Sequence, residues 1–160
     1  MSYITGMKVD QVDSTAAWTL GSIGQTYDGK VYKYVKYVEG TGALDLVAGD
    51  VVYYVDDSGY GSSTVTADVS DSSGAEIGAG VAQATVTDTN SYIWVQIRGA
   101  ATLAVALGGS AGDGDPLTAV SAADKALTKA AEADSTATYV HVCATAVDAT
   151  AKEIICQFPE

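Results

Sequence analysis

Hydrophobic and polar positions alternate with a period of two in short runs along the chain, and glycine- and aspartate-rich turns separate the runs. In residues 30–38 (KVYKYVKYV) this places Val31, Lys33, Val35 and Tyr37 on one side of a strand, and Lys30, Tyr32, Tyr34, Lys36 and Val38 on the other. The preceding Asp28-Gly29 is a dipeptide favoured in tight hairpins, with residues 18–20 leading into it. Residues 78–86 and 92–97 form the clearest hairpin pattern. Ile93, Val95 and Ile97 share one face of its second strand, and Tyr92, Trp94, Gln96 and Arg98 share the other. Further strands are expected at 51–55, 64–69 and 101–107, with a closing hairpin of 139–144 and 153–158 around a turn at 147–151. Short strands every ten or so residues predict an all-β fold, a single-domain antiparallel β-barrel or β-sandwich with little or no helix.

Three stretches break the alternation. Residues 1–17 alternate poorly and read as an N-terminal arm reaching a neighbour, ahead of a β domain at 18–160. Residues 108–116 (GGSAGDGDP) are the most loop-like segment. Residues 121–134 (SAADKALTKAAEAD) have high helix propensity and a capping serine at Ser121, yet Leu127 is their only large apolar residue, which leaves a helix almost no face to bury.

Charge narrows the choice of partners. Across 160 residues, 20 acidic side chains oppose 8 basic ones, for a formal net charge of −12. Such a field repels phosphate backbones and anionic headgroups, so the lysine- and tyrosine-rich strand is a poor candidate for nucleic acid despite its aromatic platforms. No apolar run is long enough to span a bilayer, and MSYITGMKVDQVDS lacks the basic and apolar regions of a secretory signal. With no export signal, Cys143 and Cys156 are expected to be reduced, buried thiols.

Candidate chemistry is sparse. The single histidine, His141, alternates with Tyr139 and Cys143, but nothing marks an orienting group or an oxyanion site, and a packed strand histidine is the simpler reading. Carboxylates cluster at Asp56-Asp57, at Asp68, Asp71 and Glu76, and at Asp113 and Asp115. The EF-hand spacing is not met, and aspartate in turns is ordinary turn chemistry. No phosphate-binding glycine motif is present. The reading is therefore non-enzymatic, with no cofactor and no metal. Tyrosine and lysine stems suit a subunit interface, where apolar area is covered while polar tips stay wet.

The order DGKVYKYVK, AGDVV, GAGVAQATV, YIWVQIRGAA and GDPL resembles the small decoration (cement) proteins on the heads of tailed bacteriophages. The resemblance covers roughly residues 18–120, and weakly the C-terminal strands. It implies a β-rich subunit, commonly a homo-oligomer (trimer or dimer), made in the host cytoplasm and bound outside the virion capsid. There it stabilises the shell by bridging major capsid protein subunits. The resemblance reads 121–134 as loop and strand, and this sequence departs from the family in the polar insertion at 56–76 and in carrying two cysteines. The expected protein-contact residues are Tyr3 and Ile4 on the arm, with Tyr32, Tyr34, Lys36, Tyr92, Trp94 and Arg98 on the strands. Two alternatives remain: another phage structural role such as head fibre or tail tube, and a carbohydrate-binding or adhesive β module suggested by Tyr60 and Trp94 beside aspartate-rich loops.

Overall fold

The computed structural model describes residues 7–55, 59–72, 77–130 and 142–160. The strands are β1 (Ile23–Gln25), β2 (Val31–Tyr37), β3 (Val51–Tyr54), β4 (Thr64–Thr66), β5 (Gly78–Ala82), β6 (Ser91–Thr102), β7 (Pro116–Thr118), β8 (Thr128–Lys129), β9 (Val142–Asp148) and β10 (Glu153–Gln157). One four-residue helix, α1 (Gly59–Ser62), and a 3-10 turn at Val69–Asp71 are the helical pieces among the described residues.

Five strands close on themselves in the order β2-β4-β3-β5-β6 and back to β2, so the fold is a barrel and not a sandwich. The seam is the long β2–β6 ladder, which runs antiparallel from Val31 opposite Arg98 to Tyr37 opposite Ser91. One strand pair of the barrel is parallel, with Lys36 opposite Thr64 and Tyr37 opposite Val65. Parallel neighbours need a long crossover, here supplied by β3 and the loops flanking it. Closure removes open edges within the barrel.

β6 is long enough to serve two sheets. Its first half builds the barrel, and its second half pairs with β10, after which β9, β7 and β8 follow outward. Gly99 sits at the change of direction with φ of 95°, and a Cβ there would meet Lys30 Cγ at 3.1 Å. The strand thus continues through Gly99 only to Thr102, short of the run expected at 101–107. The strands expected at 78–86 and 64–69 are similarly trimmed to β5 and β4, and residues 18–20 lie in turns ahead of β1.

Inward-facing side chains fill the barrel. Val35, Tyr37, Val52, Tyr54, Val65, Ile93 and Val95 share that face in register and are fully buried in one apolar cluster, which continues through Val51 and Tyr53 on the opposite face of β3 to Leu117, Leu127, Ala144 and Ile154 of the flank. Lys33 shares this inward face and is buried. Its Nζ donates to the Tyr54 hydroxyl at 2.8 Å and lies 5.1 Å from the ring centroid. Those two lengths place the ammonium beyond the hydroxyl, so the hydrogen bond and not the ring face holds it. Burial pushes the Lys33 pKa down.

The described part of the segment with high helix propensity is not a helix. Residues 121–127 form turns leading into β8, with Ser121 and Lys125 at positive φ of 58° and 65°. Ala122, Ala126 and Leu127 pack inward, and the Tyr53 hydroxyl lies 3.0 Å from Ala123 O and 2.5 Å from Ala126 O. Tertiary burial of Ala122, Ala126 and Leu127 outweighs an alanine-rich propensity that had no face of its own. A buried Asp50 paired with Lys125 at 3.5 Å ties this segment to the barrel.

Candidate binding surface on the outer face of the barrel

The outer faces of β2 and β6 form a second, smaller apolar cluster. Tyr32, Tyr34 and Trp94 are its buried members, at 4%, 0% and 1% exposure, with Met7, Val9, Trp18, Leu20 and Tyr92 packed around them. Residues 7–20 therefore lie across their own barrel instead of extending away as an arm. The pattern carried a weak signal for this: Met7 with Val9 and Trp18 with Leu20 are two short alternating pairs.

Asp13 anchors the segment. It forms an isolated antiparallel bridge with Tyr92, in which Asp13 N donates to Tyr92 O at 2.9 Å and Tyr92 N donates to Asp13 O at 2.8 Å. The Tyr34 hydroxyl donates to Asp13 Oδ2 at 2.7 Å and accepts from Ala17 N at 3.2 Å. Gln11 Nε2 donates to Asp13 Oδ1 at 2.5 Å. Burial, reinforced by the Asp13 carboxylate, pushes the Tyr34 pKa up to about 12, so at neutral pH the hydroxyl keeps its proton.

The aromatic rings interlock. Tyr34 tilts against Trp94 with centroids 5.1 Å apart and stacks on Tyr92 at 6.3 Å, while Trp18 meets Trp94 in a T-shaped contact at 6.2 Å. A cleft of about 210 Å³ opens beside them, lined by Lys8, Gln11, Asp13, Ala17, Trp18 and Trp94.

The residues expected to make protein contacts are thus divided. Tyr32, Tyr34 and Trp94 are buried by the chain's own residues 7–20, because both faces of these strands carry apolar side chains that must be covered. Lys36 and Tyr92 are half-buried and stand opposite one another in the β2–β6 ladder. Arg98 is exposed, six residues further along β6, and pairs with Glu160 at 2.8 Å. At about 3.3 Å per residue it stands roughly 20 Å from Tyr92, outside any common patch. Tyr3 and Ile4 lie outside the described residues, as do Tyr139, His141, Asp56, Asp57 and Glu76.

The carboxylate clusters serve the loops. Asp68 accepts from Ser70 N at 3.0 Å and from Gly42 N at 2.8 Å, and Asp71 accepts from Thr41 N and from its hydroxyl. The Ser70 hydroxyl, then the backbone donors, hold the Asp68 pKa below the usual carboxylate range. Asp115 accepts from Gly112 N at 2.7 Å and from Lys129 Nζ at 2.9 Å, and Asp113 accepts from Ala149 N at 2.9 Å. Among the described residues, no group of three or more histidine, cysteine, aspartate or glutamate side chains is arranged to hold a metal ion.

Both cysteines are free thiols and buried, as their spacing and context led one to expect. Burial pushes each pKa up to about 12, so neither is a thiolate at neutral pH and Cys143 is not poised as a nucleophile.

The flank sheet presents an outer face of β6, β10 and β9 that no described residue covers. Ala100, Ile155 and Thr145 form a row across the three strands in register. Ile155 and Val147 are 39% and 49% exposed, and a shallow cleft of about 320 Å³ runs past them to Lys30 and Glu153. No pattern in a single strand distinguishes these residues from ordinary surface positions. Among the described residues, no helix is long and apolar enough to cross a membrane.

The fold and surface define a small closed β-barrel with a sheet-like flank. The chain matches no protein-family model, no curated protein and no solved structure.

Proposed function

We propose that the protein is a structural subunit that decorates the outside of an assembled phage capsid and stabilises the shell by bridging capsid subunits. The observation that carries this reading is the outer face of the flank that no described residue covers, where Ile155 and Val147 stand exposed. Support also comes from the order of strands and turns in residues 18–120, which resembles phage decoration proteins. The contact face is Ala100, Thr102, Thr145, Val147 and Ile155, and Arg98 and Lys30 at its margin meet acidic groups on the shell. A subunit that binds only the assembled lattice stabilises it by mass action, and repetition over the shell multiplies modest contacts.

Purified protein mixed with expanded, undecorated capsids should co-sediment with them and raise their disassembly temperature. Absence of both effects would sink the reading. Imaging of virions carrying labelled protein separates decoration from placement in a head fibre or tail tube.

A further inference from the structure

We propose that the cleft between residues 8–18 and Trp94 is a binding site for one saccharide ring, such as the terminal sugar of a surface glycan. The inference does not depend on capsid decoration, and a protein that fails to bind capsids leaves it standing.

Recognition of a sugar needs an apolar platform for the C–H face of the ring and fixed polar groups for its hydroxyls. Trp18 supplies the platform. Its indole is half-exposed and is held by the T-shaped contact with the buried Trp94, so its orientation is set before a ligand arrives. The partial positive charge of ring C–H bonds is attracted to the negative face of an indole, and the contact removes apolar area from water.

Asp13 supplies the fixed acceptor. Its backbone is pinned to Tyr92 on both sides, and its two carboxylate oxygens are each held by one donor, the Tyr34 hydroxyl and the Gln11 amide. A carboxylate has about four lone-pair positions, so each oxygen keeps capacity for a further donor. The Tyr34 hydroxyl is itself oriented by Ala17 N, which makes a relay from backbone to phenol to carboxylate. Lys8 adds a cationic donor, and the Gln11 carbonyl adds an acceptor, so the lining carries both kinds of partner that a vicinal diol requires.

The dimensions and charge favour a sugar over other small ligands. A cleft of about 210 Å³ lies below the usual range for drug-sized ligands, roughly 300–1,000 Å³, and suits a single pyranose. A quaternary ammonium needs a cage of several open aromatic faces, whereas Trp94 is only 1% exposed and Trp18 stands as the single accessible ring of the cleft. An anion would meet the Asp13 carboxylate.

Binding is read by tryptophan fluorescence, since Trp18 and Trp94 are the chain's two tryptophans. The full chain is titrated with glucose, galactose, mannose, rhamnose, N-acetylglucosamine and N-acetylgalactosamine, with saturation-transfer NMR identifying which ring protons touch protein. At least one sugar should give a saturable change in the millimolar range, with its C–H face saturated. Asp13→Asn, which keeps the size and the backbone bridge, should weaken that sugar by about tenfold or more, the usual effect of losing a charged hydrogen-bond partner. Trp18→Ala should abolish binding. Because that variant also removes packing, Gln11→Ala serves as the exposed substitution, expected to weaken binding several-fold with the melting temperature unchanged. No saturable signal from any of the sugars would overturn the proposal, as would binding that Asp13→Asn and Gln11→Ala leave unaltered.

Discussion

The Tyr34 hydroxyl donates to Asp13 Oδ2 at 2.7 Å, which joins a buried barrel strand to a segment 21 residues earlier. Tyr34→Phe removes this bond and leaves Ala17 N without its acceptor. The expected cost is about 1–3 kcal/mol in denaturant unfolding, the usual cost of a lost hydrogen bond to a charged group. Hydrogen exchange should quicken first at the Asp13 and Tyr92 amides, while the β3 and β5 amides stay protected. Uniform loss of protection would mean that residues 7–20 are integral to the core.

Lys33 and Lys36 lie on opposite faces of β2, so charge reversal should separate them. Lys33→Glu places a carboxylate in a buried site beside the Tyr54 hydroxyl, and it should cost upward of about 3 kcal/mol and leave little folded protein. Lys36→Glu, half-buried opposite Tyr92, should shift stability by no more than about 1 kcal/mol. Urea midpoints of the two variants check the contrast.

Gly99 occupies a φ of 95°, where a Cβ is strained and would also press on Lys30 at 3.1 Å. Gly99→Ala should destabilise by about 1–2 kcal/mol, measured as a fall in the thermal midpoint. Weakened protection should centre on β10, which pairs across this bend through Cys156.

Alkaline pH should unfold the chain in a defined window. Cys143 and Cys156 move from 9.0 in the unfolded chain to about 12 when folded, and Tyr34 from 10.0 to about 12. Burial also raises Tyr37 and Tyr53. The folded state therefore holds these protons more tightly. Their contribution is complete below pH 9, and it declines as the unfolded chain begins to release them and is lost as pH passes the folded values near 12. Stability curves flat to about pH 9 and falling steeply thereafter, with the tyrosinate absorbance of the buried Tyr34, Tyr37 and Tyr53 appearing only on unfolding, are the expected result. Ionisation of the full complement of tyrosines without unfolding would contradict it.

Ile155→Lys combined with Val147→Lys tests the proposed capsid contact. Both side chains are exposed, so the double variant should fold with stability within about 1 kcal/mol of the parent and lose co-sedimentation with capsids. A variant that folds and still decorates would move the contact elsewhere. Sugar binding at the Trp18 cleft should be unaffected in either case.

The sequence by itself determined the two faces of β2 and β6. The period of two sorts Val35 and Tyr37 from Tyr32 and Tyr34, and Ile93 and Val95 from Tyr92 and Trp94, as the two apolar clusters divide them. Turn chemistry at Asp28-Gly29 was equally legible, because it depends on neighbours a few residues apart, and the closing hairpin was legible in part: β10 falls within the expected 153–158, whereas β9 runs Val142–Asp148, past the expected end at 144 and into the expected turn at 147–151. What covers each face was not legible. Tyr34 and Trp94 look like exposed contact residues on an isolated strand. They are core because residues 7–20 lie over them, and Lys33 is buried because the barrel closes around it.

The parallel contact of β2 with β4, the bend that lets β6 serve two sheets, and the turns at 121–127 all depend on partners distant in the chain. Periodicity reports which side chains point together, through local backbone geometry. Only long-range packing decides which of two apolar faces meets the core, which meets the chain's own terminal segment, and which, like the row through Ile155, no described residue covers.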